Sequence, residues 1–440
     1  MLLSVFGILL FVVGLLITVG LHELGHLIPA KKFGVKVPKY FIGFGPTVWS
    51  VQRSGTEWGL KAIPLGGFVQ LAGMLAPARD GVRTRRPDGQ LTLAEEARRQ
   101  SAAELGPGEA AQAFWRLPAR KKLVVMAGGP FVNLALCAVL TAIVMCGIGW
   151  GTYGTTLAEV PMCENEAGCD STEVLPGYAA GLRPGDTVLS WGNTAVTSWD
   201  ELQQAISEGG SAPVQVRVRR GEEQLAFTVT PREAQRPMVR DGAVVLDPAT
   251  GVAKTELKPF VGISPSMEMR RDSLGAALAQ TGKIAVGTLQ VVAVLPQQLW
   301  QTGAALVTGA PRDANGVVGI VGVADMAGTI TSAAAEHYTF AMRAADFLML
   351  MASLNMSLFI FNLIPLLPLD GGHILGALIE GARRTIARLR GRAATASALG
   401  PDPYTFDTAR LLPLSYAVIG FFVLMTLLLV VADVLNPVMH

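Results

Sequence analysis

No charged residue interrupts the first 21 positions of the chain. A hydrocarbon layer about 30 Å thick is crossed by roughly 20 mostly apolar residues. Four stretches meet that requirement, Leu2–Ala30, Leu123–Trp150, Phe340–Pro365 and Leu411–Val434, and each predicts a transmembrane helix. No Lys or Arg precedes the first and no small-residue cleavage site follows it, so it reads as a retained span, not a signal peptide. Between the first two, "VPKYFIGFGPTVWSV" and "TEWGLKAIPLGGFVQL" are short β-branched and aromatic runs punctuated by Gly and Pro, which predicts strands. "PVQVRVRR" and "EQLAFTVTP" alternate apolar and polar positions, as half-buried strands do. Residues 76–112, rich in Ala, Arg, Glu and Gln, predict a solvated, partly disordered insertion.

Composition agrees with a membrane protein: half the residues are hydrophobic and 16% are charged. A net charge of +2 is too small to suggest a nucleic-acid partner, and four cysteines are too few for a disulfide scaffold. The placement of charge says more than its sum. Lys31, Lys32, Lys36 and Lys39 follow the first stretch, Arg116, Arg120, Lys121 and Lys122 precede the second, and Arg383, Arg384, Arg388, Arg390 and Arg392 lie between the third and fourth. By the positive-inside rule these loops are cytoplasmic, and both termini and the long middle region are outside.

His22 and His26 stand four apart in the first stretch with Glu23 beside His22, an H-E-x-x-H pattern. On a helix that spacing puts both imidazoles on one face, where they can hold Zn²⁺ while the glutamate acts as base. The pattern also arises by chance in soluble proteins. Ionisable groups in a span are costly, however, and three within five positions need a compensating function. A catalytic zinc has three protein ligands, so a third must come from elsewhere. "NLIPLLPLDGGH", residues 362–373, offers Asp370, the only acid between Asp346 and Glu380. Its prolines and glycines suit a helix-terminating turn but do not account for the carboxylate. His373, just past the glycines, reads as a loop or helix-start residue and is left out of the ligand set.

Together, H-E-L-G-H, N-x-x-P-x-x-x-L-D-G-G, "PLGGFVQLAG" at 64–73 and "AGGPFVNLAL" at 127–136 resemble the motifs of the site-2 protease family, intramembrane zinc metalloproteases of bacterial regulated proteolysis. The resemblance implies His22, His26 and Asp370 as metal ligands, Glu23 as catalytic base, and Zn²⁺ as cofactor. It implies that Asn362 binds substrate or stabilises the oxyanion; a helix-bridging amide is the alternative reading. It also implies a membrane-dipping β-hairpin whose edge takes an unwound substrate by strand addition. The implied partners, besides the lipid bilayer, are single-span membrane proteins of the anti-sigma-factor type, already trimmed outside, and remnant signal peptides. The implied location is the bacterial inner membrane, with the active site near its cytoplasmic face.

"VLPGYAAGLRPGDTVLSWGNTAVTSWDELQQAIS" has the order of elements of a PDZ domain, bounded at 156–235, which binds a peptide or screens substrates by size. Cys163 and Cys169 nearby suit a disulfide in an oxidising compartment; Cys137 and Cys146 read as packing residues. Residues 273–309 are nearly apolar enough to be a fifth span. Parity opposes that, since one more crossing would part Asp370 from the histidines, and Gln280, Lys283, Gln290, Gln297 and Gln298 suggest helices lying at the interface.

The expected fold is thus a multi-pass α-helical membrane protein with four transmembrane helices, a membrane-associated β-hairpin and one extracytoplasmic PDZ (α+β) domain. Helices with flanks are expected at 1–36, 118–152, 339–373 and 410–436. The hairpin region occupies 37–75 and the cytoplasmic insertion 76–117. The PDZ domain at 156–235 is followed by an extracytoplasmic amphipathic region at 256–338, and 374–409 form a cytoplasmic loop.

Overall fold

The structure, a computed structural model, describes all residues except 1, 80, 165–173, 241–242, 245–253, 311, 313–315, 333–337, 391–402 and 437–440. It divides into two compact units, Met1–Gly147 with Asp272–His440, and Ile148–Arg271.

The first unit opens with helix α1, Leu2–Lys32, ending on Lys31 and Lys32, where cations suit the negative end of the helix dipole. Its buried positions Gly7, Phe11, Leu15 and Thr18 form one stripe at helical spacing, and His22 and His26 continue that stripe. Strands β1, Lys39–Arg53, and β2, Thr56–Gln70, follow as an antiparallel pair. Both bend. Residues 39–42 pair with 67–70 on one side and 57–60 on the other, so the hairpin folds into four short segments. Gly43, Gly45 and Gly66 take the positive φ values that the bends require.

Helix α2, Leu93–Ala103, is capped by Thr92, whose side chain accepts from the Glu95 backbone N–H. Its Arg98 is buried and donates to both carboxylate oxygens of Asp407 at 2.9 and 2.7 Å. The expected solvated insertion therefore contains an ordered, docked helix. Its charged composition conceals the distant partners of several side chains, Arg98 with Asp407, Glu104 with Gln70 and Glu109 with Lys36 among them. Helix α3, Ala119–Ala142, continued by a π-helical turn Ile143–Ile148, runs antiparallel to α1. The two backbones touch: a Cβ at Gly25 would lie 2.4 Å from Gly128 O, and one at Gly128 2.0 Å from Gly25 O.

The second unit contains strand β3, Trp150–Glu159; the one-turn helix α4, Pro176–Ala179; strands β4, Thr187–Trp191, and β5, Thr194–Ala195; and helix α5, Trp199–Gly209. Strands β6, Val214–Arg220, β7, Glu223–Val229, β8, Arg232–Pro237, β9, Val239–Arg240, and β10, Ala243–Val244, follow. Strands β11, Thr255–Phe260, and β12, Ser264–Arg270, complete it. The main sheet has the order β12-β3-β4-β6-β7 with β5 on β4, and β11 pairs separately with β8. Val188 and Trp191 of β4 and the alternate residues Val216 and Val218 of β6 join Leu157, Leu202 and Val229 in its core. The unit is wider than 156–235, because β11 and β12, expected to open a juxtamembrane region, are strands and β12 returns to pair with β3. Cys163 is disulfide-bonded; Cys169, its expected partner, lies outside the described residues.

The first unit resumes with α6, Leu274–Thr308; α7, Ile320–Ser332; α8, Phe340–Leu363; α9, Asp370–Leu389; and α10, Leu412–Leu435. Among the described residues five helices, not the expected four, are long and apolar enough to cross a membrane: α1, α3 with its π turn, α6, α8 and α10. The fifth, α6, is one 35-residue helix where helices lying at the interface were expected. Both of its ends are tied to neighbouring helices. Just before it, the Asp272 N–H donates to Met145 O at the end of α3; just after it, Ala310 O accepts from Asn436 and Arg312 pairs with Asp433 at the end of α10. α7 in turn touches both α10 and α1: its Gly322 N–H donates to Asp433, and its Thr331 hydroxyl donates to Leu3 O. Similarly, the expected loop 374–409 begins with most of α9, a helix whose Glu380 is fully buried against Lys122.

Candidate metal centre

The buried stripe of α1 carries His22 and His26 to the contact with α3. Asp370 reaches them from the far end of the sequence. Helix α8 stops at Leu363, Pro365 and Pro368 keep the chain from continuing it, and Asp370 is the first residue of α9. That turn leaves no room for side chains: a Cβ at Gly371 would lie 2.3 Å from Ile364 O, and one at Gly372 2.7 Å from Leu367 N. The glycines that look like helix breakers in the sequence are what let a helix start so close to the preceding one.

Three atoms converge. Asp370 Oδ2 lies 3.4 Å from His22 Nε2 and 3.2 Å from His26 Nε2, and the two Nε2 atoms are 3.2 Å apart. His26 Nδ1–H donates to Val125 O at 2.8 Å, which leaves the Nε2 lone pair facing the cluster. Asp370 Oδ2 is buried without a hydrogen bond among the described residues, although both Nε2 atoms are within reach. A cation resolves this, because it accepts both lone pairs and the carboxylate together. The donor set of two imidazoles and one carboxylate, with all three ligand atoms within 4.8 Å of one another, fits Zn²⁺ with a coordination position left open. No room is spare: a Cβ at Gly129 would lie 2.2 Å from His26 Nε2.

Asn133, buried on α3, sets its amide nitrogen 3.0 Å from His22 Nδ1 and leaves its Oδ1 unpartnered. A half-turn of the amide exchanges the two atoms. Oδ1 then accepts from Nδ1–H, satisfying itself and turning the His22 lone pair to the metal position. The sequence reading passed over Asn133, although it lies within the quoted "AGGPFVNLAL".

Glu23 stands against the hairpin: a Cβ at Gly67 would lie 3.5 Å from Glu23 Cγ and 2.9 Å from Val19 Cγ1. Tyr40 pins the hairpin to α1 by donating to Gly20 O at 2.7 Å. Segment 67–70, an outer segment of the folded hairpin, is therefore the backbone edge beside Glu23. Asn362 lies in the last turn of α8, half-buried, and its side chain makes no hydrogen bond among the described residues. His373 lies in the first turn of α9, outside the converging set, and lines a small cavity with Lys122, Glu380 and Phe406.

Residues 10–399 match the family model described as peptidase family M50. The chain is 33% identical over 452 residues to the zinc metalloprotease Rip1 of Mycobacterium tuberculosis, with 98% of each chain covered. It is 30% identical over 449 residues to Rip1 of Mycolicibacterium smegmatis, again with 98% of each covered. Identity to the metalloprotease MmpA of Caulobacter vibrioides is 28% over 394 residues, covering 88% of this chain and 89% of that one.

Proposed function

The chain belongs to peptidase family M50, the site-2 proteases, and from that premise we propose that His22, His26 and Asp370 hold its zinc and that Glu23 is its general base. It is a membrane-embedded zinc metalloprotease. The observation that carries the residue assignment is the convergence of two imidazoles from α1 and a carboxylate from the start of α9 on one point.

Bound zinc supplies Lewis acidity to the scissile carbonyl and to the attacking water. Glu23 takes the proton of that water and delivers it to the leaving amine nitrogen. Val125 O and Asn133 hold the two imidazoles in the ligating tautomer. Segment 67–70 receives the unwound substrate as an added strand, which presents a carbonyl beside Glu23 with little demand on sequence. Asn362 holds the substrate or its developing oxyanion. The substrates are single-span membrane proteins of the anti-sigma-factor type and remnant signal peptides, cut near the cytoplasmic face of a bacterial inner membrane. The unit Ile148–Arg271 is a PDZ domain on the opposite side that excludes substrates whose external part is untrimmed. α1, α3, α8 and α10 make the four crossings.

Glu23→Gln tests the assignment. Zinc content, measured by elemental analysis of the purified protein, should stay at one per chain while cleavage of a single-span substrate falls by a factor on the order of 10²–10⁴ or more. Retained cleavage would refute the role of Glu23. Asp370→Asn should lower zinc content, and an unchanged content would remove Asp370 from the ligand set.

A further inference from the structure

Helix α9 has one face that its neighbours explain and one that they do not. Gly372, Gly376, Glu380 and Ala387 are buried. On another face Leu375, Leu378, Ala382, Ile386 and Leu389 form a continuous stripe at helical spacing, open along its length, with Leu389 82% exposed. Arg383 and Arg390, seven residues apart, flank the stripe on one side and Arg388 flanks it on the other; all three are exposed. No hydrogen bond or ion pair engages the side chains of these three arginines among the described residues. The acids of α9 are Asp370 at the metal centre and Glu380, buried against Lys122 and Arg384, so its exposed charge has one sign.

The depth of the helix is also fixed. α9 starts at the metal centre, within the α1–α3 contact, and by Gly381 it has reached Ala119, the first residue of α3, whose Cβ would lie 3.5 Å from a Cβ at Gly381. Residues 382–390 thus emerge where the neighbouring span begins, at the level of the lipid headgroups. A lipid-facing apolar stripe flanked by long cationic side chains at that level matches an interfacial helix, with the arginine stems along the acyl boundary and the guanidinium groups at the phosphates.

We propose that α9 is an anionic-phospholipid-binding helix, whose stripe enters the leaflet on the side where α8 ends and whose Arg383, Arg388 and Arg390 take phosphate oxygens of acidic lipids. Charge complementarity selects this occupant over the same face of a second copy of the chain, which would bring like charges together. The inference depends on the membrane placement of the first unit and not on the metal assignment.

The test uses the full chain carrying a fluorescent label at Ile386→Cys, with Cys137→Ala and Cys146→Ala removing the free thiols. It is reconstituted in vesicles of equal parts phosphatidylcholine and phosphatidylglycerol, one or the other brominated. Brominated phosphatidylglycerol should quench the label more strongly, with a local preference of about fivefold, what one arginine near a charged surface contributes. Arg383→Gln/Arg388→Gln/Arg390→Gln should bring the preference close to parity, and the corresponding triple lysine protein should keep it. Equal quenching by both lipids with the arginines intact overturns the proposal. So does quenching by aqueous iodide, which places the stripe in water. Protection from lipid and iodide alike also overturns it, because a protein then covers the stripe.

Discussion

The three converging atoms depend on residues that do not touch the metal position. Asn133 is the clearest case, since nothing else among the described residues reaches His22 Nδ1. Asn133→Ala should weaken zinc binding by about 10–100-fold, as loss of a ligand's outer hydrogen bond does, while Asn133→Asp, which keeps an acceptor, should lose less. Competition with a chelator reads both. Gly129→Ala should be worse, because its methyl would occupy the place of His26 Nε2 and α3 would have to back away from α1. Of these residues the sequence makes legible those that lipid makes expensive. His22, Glu23, His26 and Asp370 are conspicuous as titratable groups among apolar residues. Asn133 is neutral and has many ordinary explanations in a span, so only its distance to His22 marks it.

The helix that orients the imidazoles, α3, and the helix that carries Asp370, α9, are tied by a buried charge cluster. Glu380, 1% exposed, accepts from Lys122 at 2.8 Å and pairs with Arg384 at 2.9 Å. Because removing one partner strands the others away from water, Glu380→Ala should cost about 3–5 kcal/mol. The triple change Lys122→Met/Glu380→Leu/Arg384→Leu should recover most of it. Thermal unfolding in detergent orders these proteins, and equal melting of the single and triple variants would contradict the cluster's role. The helix carrying Glu380 was not legible, since Pro365, Pro368, Gly371 and Gly372 read as chain breakers. They break α8, but they also set the tight turn that starts α9. The hairpin was legible as strands because aromatic and β-branched residues crowd it; its folding into four segments was not, since that follows from three glycine bends and pairing on both sides of 39–42.

At the scale of the molecule, the two units should unfold separately, and acid should single out Ile148–Arg271. There, burial pushes the Asp186 carboxyl up. Two hydrogen bonds from Arg220 and one from the Arg183 N–H outweigh it and hold Asp186 below the ordinary carboxylate range. A lowered folded value means stabilisation that is complete above the unfolded value near 3.9 and lost as pH falls through the folded one. Fluorescence of the buried Trp191 should therefore report loosening of this unit below about pH 4, and Asp186→Asn should remove that part of the acid sensitivity while weakening the unit at neutral pH. The extent of the unit was not legible, because β12 pairs with a strand more than 100 residues before it. The same holds for α6, whose apolar length speaks for a crossing and whose destination is set by Met145 and Asn436, far away in the chain. Leu274–Thr308 is fastened at both ends, by Met145 before it and by Asn436 and Asp433 after it, so exchanging the sequence between them leaves its anchors in place. Evolution is thereby free to vary this stretch, and an engineer to replace it, as long as Asp272 and Arg312 keep their holds on Met145 and Asp433.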